Sequence, residues 1–395
     1  MEKLINLSRR IINNVSLDFK RYLISKIDTE QRLIGIKGAR GTGKTTMLLQ
    51  LLKTKPASRS LYVSLDNLYF STNSLFDLAE QFVLKGGIYL YFDEVHKYAN
   101  WSQELKNIYD SFPELKIIFT SSSALEIKKG NADLSRRALM FELPGLSFRE
   151  FLEFKYGIKN QAVELQELIY NFDEITSDIL TRIKPYEFFE EYLRIGYYPF
   201  FKEDEENYLQ RLESVINLVV ETDLPAIYQI DFSSVLKLKK LITIIGGIAP
   251  YKPNMKKLSE RIGAKYETVL KYLSLLHNAH ILRWLSSNTT GINFMNKPDK
   301  LFLENTNIAY AVSLTAPDTG ALRETFLLNQ LSSKHYVSYS KQADFVVDNK
   351  YTFEIGGKNK TKKQIHGIEN SFVVKDNIEY GFDNVIPLWL FGFLY

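Results

Sequence analysis

The sequence has 395 residues, of which 45% are hydrophobic and 24% charged, so it has room for about two or three folded domains and lacks the composition of a disordered or fibrous chain. The net charge of +4 is too small to indicate a nucleic-acid-binding face by itself. The lack of cysteine excludes disulfides, thiolate metal sites and cysteine nucleophiles, and the cytoplasm is the expected location. We expect no targeting segment, because the N-terminal residues mix charged with apolar side chains, and no membrane span, because no apolar window approaches about 18 residues.

The first 120 residues show helical and strand-like patterns in alternation. Residues 3–26 carry apolar side chains at steps of three or four, which predicts an amphipathic helix packed on the following domain. Four short apolar runs then alternate with helical stretches: Leu33–Ile36, Leu61–Leu65, Ile88–Phe92 and Ile117–Phe119. Runs with no polar face are typical of strands buried on both sides, so the pattern predicts a parallel sheet with helical crossovers.

A glycine-rich loop follows the first of these strands. The segment GARGTGKT matches G-x-x-x-x-G-K-[ST] at every fixed position and lies between a strand and a helix start. Backbone N–H groups of such a loop surround a β-phosphate, while the lysine reaches the β and γ oxygens and the last hydroxyl reaches Mg²⁺. The predicted ATP-binding residues are Gly38, Ala39, Arg40, Gly41, Thr42, Gly43, Lys44, Thr45 and Thr46.

A second part of the same site is predicted at the end of the third strand. The segment IYLYFDEVHK places Asp93 at the end of a buried strand, where its carboxylate would hold Mg²⁺ together with Thr45. Glu94 follows directly and is the candidate base that polarises a water for attack on the γ-phosphate. The alternative is a pair of solvated turn carboxylates. Asp66, after the second strand, is interpreted as a turn cap.

The fourth strand ends in three hydroxyl residues, Thr120, Ser121 and Ser122. One of these hydroxyls is expected to contact the γ-phosphate or the attacking water from the side, and Ser121 is the preferred candidate. The alternative is that these residues only form a turn. Arg136 and Arg137 follow. Either is a candidate catalytic arginine, offered to the γ-phosphate of a neighbouring subunit, whereas a solvated basic pair is the alternative.

The remaining sequence predicts a helical region at 147–235, a winged helix at 236–298 and a third α/β region at 299–395, after a first domain at 1–146. Met255–Ile262 and Tyr266–His277 are the expected second and third helices of the winged helix, followed by a strand-like run to Leu285. Lys265 and Lys271 would be free for phosphates, so DNA binding is one interpretation of this region. A structural or coupling role is the other. The apolar ending IPLWLFGFLY is expected to form a buried terminal strand.

The combination of KGARGTGKTT, YFDEVHK, IIFTSSSA, LSRRA, LPGLSFREFLEF and YLRIGYYP resembles the AAA-type ATPases of bacteria and archaea that carry a C-terminal domain of unknown function. The resemblance covers essentially the whole chain. It implies an α/β fold of the additional-strand, catalytic-glutamate P-loop type, a winged helix, and a C-terminal domain similar to PD-(D/E)xK nucleases. The family's arginine motif reads Leu-small-Gly-Arg; Arg137 aligns with its arginine, and Arg136 stands where the family has glycine.

A nuclease of that type needs two carboxylates on neighbouring strands for Mg²⁺ and a lysine two residues after the second carboxylate. Asp344 and Glu354 fit the carboxylates, and Glu324 is a candidate third. Gly356 stands at the lysine position, so Lys358 or Lys360 would have to replace it, and Gln364 would orient a phosphate. The sequence therefore favours a catalytically silent nuclease-like domain. The basic cluster at 358–363 is either a solvated face or a nucleic-acid contact.

Taken together, the sequence predicts an ATPase that requires Mg²⁺ and couples turnover to movement of the winged helix and the nuclease-like domain. The alternatives are a nucleotide-dependent DNA-binding switch and an ATP-gated nuclease. The expected partners are ATP, a nucleic acid in the alternatives, and further copies of the chain in a nucleotide-dependent oligomer, with no membrane.

Overall fold

A computed structural model describes residues 1–121, 134, 136–287 and 297–395 of the chain. The described residues form two compact units, Met1–Gly145 and Leu146–Tyr395. The further boundaries expected at 235 and 298 within the second unit stay predictions. Within the described ranges, no helix combines the length and apolar character that crossing a membrane requires.

The first unit is built on a five-stranded sheet in which every pairing is parallel, with strand order β2-β3-β4-β1-β5. The strands are β1 Leu33–Lys37, β2 Ser60–Ser64, β3 Tyr89–Asp93, β4 Lys116–Ser121 and β5 Leu139–Glu142. The four predicted strands are confirmed. The fifth escaped prediction because it is short and only partly buried, so it lacks the continuous apolar run of a central strand.

Helices cover both faces of this sheet and bury two hydrophobic clusters against it. They are α1 Glu2–Asn14, α2 Lys44–Lys53, α3 Leu75–Leu84 and α4 Trp101–Ser111, with short 3₁₀ turns at Tyr22–Lys26, Ala57–Arg59, Leu68–Ser71 and Val95–Lys97. The first helix packs on the sheet as predicted, and the Ser8 hydroxyl accepts a hydrogen bond from the Tyr62 N–H.

The N-terminal helix is shorter than the predicted 3–26. It ends at Asn14, because polar side chains of α2 take up the main-chain carbonyls that a longer helix would use internally. Gln50 donates to the carbonyls of Ser16 and Phe19, and Lys53 donates to those of Asn13 and Val15. These tertiary hydrogen bonds outweigh the local helical periodicity.

The second unit begins with helices, as the sequence predicts for 147–235. They are α5 Phe148–Tyr156, α6 Leu165–Tyr170, α7 Phe172–Leu180, α8 Tyr186–Ile195, α9 Tyr208–Leu218 and α10 Leu224–Tyr228, with a 3₁₀ turn at Pro199–Lys202 and a π turn at Val219–Asp223. Helix α5 starts in a capping box between Ser147 and Glu150 and ends at Gly157, whose φ is +72°. Local residues therefore determine both ends of this helix: the capping box fixes its start, and Gly157 ends it.

Three helices and a two-stranded antiparallel sheet follow: α11 Phe232–Gly246, α12 Met255–Ile262, α13 Tyr266–Asn278, β6 Leu282–Leu285 and β7 Lys300–Leu303. The bounds predicted for α12 are confirmed, and α13 extends one residue further than expected. Gly263, with φ of +69°, allows the three-residue turn between them. The winged-helix interpretation stays a prediction.

The last region packs helices against a five-stranded sheet of order β12-β11-β10-β9-β8. Its elements are α14 Thr306–Val312, α15 Thr319–Leu331, β8 Val337–Tyr339, β9 Phe345–Val347, β10 Tyr351–Gly356, β11 Ser371–Lys375 and β12 Val385–Pro387, with 3₁₀ turns at Lys362–Ile365 and Leu388–Phe393. The terminal strand predicted from IPLWLFGFLY is wrong beyond Pro387. That proline has no N–H to continue a strand ladder, and the buried apolar residues after it form the 3₁₀ turn.

Candidate nucleotide site

The loop after β1 requires glycine at its three predicted positions. Gly41 and Gly43 have φ of +85° and +91°, which side chains disfavour. A Cβ at Gly38 would lie 2.4 Å from the main-chain oxygen of Leu143, closer than atoms can approach. Helix α2 starts directly at Lys44, so the positive end of its dipole faces the loop. The predicted strand, loop and helix are therefore confirmed.

The Lys44 side chain lies across this loop. Its Nζ donates to the carbonyl oxygens of Gly38 at 2.9 Å and Ala39 at 2.7 Å, and the Thr42 hydroxyl donates to the same Ala39 oxygen. Lys44 is 7% exposed. A buried ammonium held by neutral carbonyls is well suited to exchange them for phosphate oxygens, because an anion offers stronger hydrogen bonds.

Asp93 ends β3 and accepts hydrogen bonds from three hydroxyl groups. Thr45 and Tyr62 donate to its Oδ2 at 2.8 and 2.9 Å, and Thr120 donates to its Oδ1. The predicted metal pair, Thr45 and Asp93, is thus brought into direct contact 48 positions apart in sequence. A carboxylate and a hydroxyl are oxygen ligands of the kind that Mg²⁺ takes, with phosphates and water completing its shell.

Glu94 follows in a left-handed backbone conformation, with φ of +54°, and its N–H donates to the Thr120 hydroxyl at 3.0 Å. Burial raises the pKa of Glu94 above its usual range, while the nearby Arg40 charge opposes the rise. A carboxylate with a raised pKa is a stronger proton acceptor near neutral pH. Backbone strain at a non-glycine residue is common at functional positions.

The hydroxyl residues at the end of β4 take different positions. Thr120 contacts Asp93 and Glu94, as described, so it belongs to the carboxylate network. Ser121 is buried and its Oγ lies 3.4 Å from Nδ1 of His96. Pairing of Ser121 with Lys37 places it beside the residue that precedes the loop. Ser122 lies outside the described residues.

Arg137 lies at the opposite edge of the sheet from the loop. Leu139, which starts β5, pairs with Ile34 near the start of β1, so about 13 Å of strand separates that edge from Gly38. The Arg137 guanidinium binds Asp110 in a bidentate ion pair, with both N···O distances 3.0 Å. Arg137 therefore does not reach the loop of its own chain, which fits either alternative given for it above. Arg136 is exposed.

Two residues of this site were missed by the sequence. Tyr62 lies on β2, and its hydroxyl contacts Asp93. The only hint of this role in the sequence is a polar hydroxyl within a mostly apolar strand. Arg21 is 5% exposed and donates to the carbonyls of Thr42, Pro144 and Gly145 at 2.7 to 2.8 Å. Nothing in the periodicity around Arg21 distinguishes it. The turn cap expected at Asp66 is supplied instead by Asn67, which accepts from the Tyr69 N–H.

Replacing Tyr62 with phenylalanine removes one hydrogen bond to the Asp93 carboxylate. We expect the free energy of unfolding to fall by about 1.5–3 kcal/mol, the usual contribution of a hydrogen bond to a charged group. Tyr91→Phe is the matched control: Tyr91 is fully buried in the neighbouring strand, and its hydroxyl has no hydrogen-bond partner among the described residues. Urea denaturation of both variants measures the difference, and equal changes would contradict the assignment.

The C-terminal candidates also come together. Asp344 Oδ2 accepts from the Ile355 N–H at 2.9 Å, next to Glu354, and Lys360 forms an ion pair with Glu354. Lys360, one of the two lysines that the sequence offered in place of Gly356, thus contacts Glu354, and its nuclease-like role stays a prediction. Gln364 accepts from Lys360 at 2.9 Å. In the basic cluster, Lys358 and Lys363 are exposed and Lys362 pairs with Asp383.

Comparison with known proteins identifies the first unit. Residues 30–152 match the family model described as an AAA domain, and residues 186–319 match a model described as a domain of unknown function. The chain therefore carries an AAA-type P-loop ATPase domain in an α/β fold.

Two curated relatives are uncharacterized proteins of Methanocaldococcus jannaschii. One is 29% identical over 64% of this chain and 56% of its own length. The other is 24% identical over 92% of this chain and 82% of its own length. The chain thus spans little more than half of the first relative.

Solved structures with some likeness include the Walker-type ATPase of Pyrococcus abyssi, with a TM-score of 0.40, 12% identity, and coverage of 71% of this chain and 91% of that one. AMPPCP-bound DnaA from Aquifex aeolicus has a TM-score of 0.25, 15% identity, and coverage of 70% and 88%. At TM-scores this low, neither likeness bears on function.

Proposed function

We propose that the first unit binds ATP with Mg²⁺ and hydrolyses it to ADP and phosphate. The observation that carries the proposal is the contact between the Thr45 hydroxyl and Asp93 at the end of a glycine loop, with Glu94 as the next residue. These groups come from the start of one helix and the end of one strand, and a solvated pair of turn carboxylates would have no reason to contact the loop. The AAA-domain match over residues 30–152 supports the same reading.

Binding rests on the loop. The N–H groups from Gly38 to Lys44 and the start of α2 receive the β-phosphate, and Lys44 donates to β and γ oxygens in place of the two carbonyls it now holds. Thr45 and Asp93 would hold Mg²⁺, directly or through water, and the ion would neutralise charge on those phosphate oxygens. Ala39, Arg40, Gly41, Thr42, Gly43 and Thr46 complete the nucleotide contacts.

Hydrolysis rests on Glu94. A water oxygen forms a bond to the γ-phosphorus while the bond from that phosphorus to the β–γ bridging oxygen breaks, and ADP leaves with the bridging oxygen. The Glu94 carboxylate takes the proton of the water. Ser121, beside the loop, contacts the γ-phosphate or the water from the side. The test is Mg²⁺-dependent release of phosphate from ATP by the full chain.

We propose further that Arg137 acts on the nucleotide of a neighbouring copy. Arg137 lies too far along the sheet to contact the glycine loop of its own chain. Its bidentate ion pair with Asp110 is exposed enough for a phosphate to replace the Asp110 carboxylate. An arginine offered in this way stabilises negative charge in the transition state. The implied partner is a second copy of the chain in a nucleotide-dependent oligomer.

Replacing Arg137 with alanine is expected to lower ATP turnover about 10–100-fold, the equivalent of one charge-assisted hydrogen bond. Mixing Arg137→Ala with the Glu94→Gln variant should restore part of the activity, because a mixed pair contains one intact site. Arg136→Ala, which removes the exposed neighbouring charge, is the control. Light scattering with ATP measures the assembly, and a mixture no more active than its components would contradict action in trans.

We also propose that turnover alters the conformation of the second unit, including residues 236–298 and 299–395. Support comes from Arg21, whose guanidinium holds the loop at Thr42 and, at the same time, the last residues of the first unit, Pro144 and Gly145. If the loop moves around a γ-phosphate, the Arg21 guanidinium moves with Thr42 and changes its hydrogen bond to the Gly145 carbonyl. Hydrogen exchange in residues 146–395 that is the same with ATP and with ADP would contradict the coupling.

A second candidate function is nucleotide-dependent binding of duplex DNA through α12 and α13. The helices are joined by a three-residue turn at Gly263, and lysine and arginine side chains around that turn are exposed: Lys256, Lys257, Arg261, Lys265 and Lys271. Only Glu260 and Glu267 oppose them on the same helices. Binding through phosphates would weaken as salt rises, and affinity for duplex DNA unchanged by Lys265→Ala and Lys271→Ala together would exclude this surface.

A further inference from the structure

Five charged side chains from separate elements meet in the C-terminal region: Lys300 on β7, Glu324 on α15, Asp344 before β9, Glu354 on β10 and Lys360 after it. The antiparallel pairing of β9 with β10 places Asp344 beside Glu354, since the Asp344 N–H donates to the Phe353 carbonyl and its carboxylate accepts from Ile355. We refer to these five residues as the C-terminal cluster.

Lys300 lies between two of the carboxylates. Its Nζ forms an ion pair with Glu324 and lies 3.7 Å from Oδ1 of Asp344. The three side chains are only 13%, 23% and 19% exposed. Screening by water is therefore limited, and one ammonium group offsets charge from two different elements.

Glu354 keeps one open acceptor. It is 2% exposed; its Oε1 pairs with Lys360, and its Oε2 has no hydrogen-bond partner among the described residues. Burial raises the pKa of both Glu354 and Glu324, and the Asp344 charge adds to the rise in each. A buried carboxylate oxygen without a partner is costly, so this oxygen marks a position where a cation or donor would be favourable.

The arrangement does not fit a divalent cation as it stands. Mg²⁺ requires oxygen ligands at about 2.0–2.1 Å in octahedral geometry, and no group of three or more acidic, histidine or cysteine side chains in the described ranges is arranged to hold a metal. The Lys300 ammonium pairs with Glu324 and lies near Asp344, so a divalent cation there would in addition face its positive charge.

We propose that the Lys300 ammonium takes the place of a divalent cation in the C-terminal cluster, so that these carboxylates bind Mg²⁺ or Mn²⁺ only when Lys300 is withdrawn. The lysine belongs to β7, which pairs with β6 next to α13, and not to the sheet that carries Asp344 and Glu354. Displacement of β7 would therefore expose a carboxylate site that is otherwise neutralised from within the chain. This proposal goes beyond ATP hydrolysis and does not depend on it.

The test replaces Lys300 with methionine, which keeps the length of the side chain and removes its charge. In the full chain without nucleotide, Lys300→Met should bind one Mn²⁺ more than the wild type, or bind it at least about tenfold more tightly, a change of about 1.4 kcal/mol, because the competing ammonium is gone. Isothermal titration with MnCl₂ and Mn²⁺ electron paramagnetic resonance measure the change. Lys297→Met, an exposed lysine in the same segment, is the control and should change nothing.

A double variant shows whether Glu354 binds the added Mn²⁺. Adding Glu354→Gln to Lys300→Met should abolish the gained Mn²⁺ binding. A folded Lys300→Met chain with wild-type Mn²⁺ binding would overturn the proposal. If Lys300→Met does not fold, Lys300→Gln keeps a hydrogen bond to Glu324 and serves in its place. Independently of either variant, Mn²⁺ binding by the wild type that disappears in Glu354→Gln alone would also overturn it.

Discussion

Replacing Lys44 with alanine is expected to weaken ATP binding about 10²–10⁴-fold. Lys44 would donate to oxygens of both the β- and γ-phosphates, and two hydrogen bonds to charged groups contribute about 3–6 kcal/mol. The same ammonium donates to the carbonyls of Gly38 and Ala39, which are neutral acceptors, and a hydrogen bond between neutral partners contributes only about 0.5–1.5 kcal/mol to stability. The loss should therefore fall on binding and much less on folding. Fluorescence titration with a labelled ATP analogue measures it.

Lys85→Ala is a suitable control for Lys44→Ala, since it removes one exposed lysine at the end of α3 and leaves the loop intact. Its ATP affinity should equal that of the wild type. Thermal denaturation of both variants separates lost binding from lost folding. Wild-type affinity in a folded Lys44→Ala chain would show that ATP does not occupy this loop.

Replacing Glu94 with glutamine is expected to lower ATP turnover about 10²–10⁴-fold, the usual contribution of a general base, while ATP binding is kept. Glutamine preserves the size of the side chain but accepts no proton. Burial raises the pKa of Glu94; below that pKa the carboxyl is protonated and inactive, and above it the carboxylate is the base. Wild-type turnover should thus decline as pH falls, starting above the usual glutamate pKa of about 4.3. Steady-state kinetics against pH measure both effects.

Glu80→Gln removes an exposed carboxylate on α3 and is the control for Glu94→Gln. It should retain both turnover and the acid limb of the pH profile. If Glu94→Gln kept wild-type turnover, the base would have to be another group. If it lost ATP binding as well, the effect would be structural.

The candidate nucleotide site was predictable from sequence because each of its main groups lies at or just after the end of a recognisable strand. Strand ends of a parallel sheet share one edge, so Lys44, Thr45, Asp93 and Glu94 had to converge once the strands were identified. Tyr62 and Arg21 could not be found this way. Their roles depend on how far a long side chain reaches across the fold, which local pattern does not encode.

The C-terminal cluster shows the same limit more sharply. Spacing rules located Asp344 and Glu354, and the expected lysine position held glycine. Only the folded chain shows that Lys360 reaches back to Glu354, and that Lys300, 54 positions before Glu354 in sequence (354 − 300), enters the cluster from another sheet. Both are tertiary contacts, which the periodicity of a sequence does not predict.

Phosphate release from ATP by the full chain, measured with and without Mg²⁺, decides whether this protein is an ATPase. We expect release that requires Mg²⁺ and that nearly disappears in Glu94→Gln at saturating ATP. ATP bound tightly by the wild type without Mg²⁺-dependent release at any protein concentration, or release undiminished in Glu94→Gln, would contradict it.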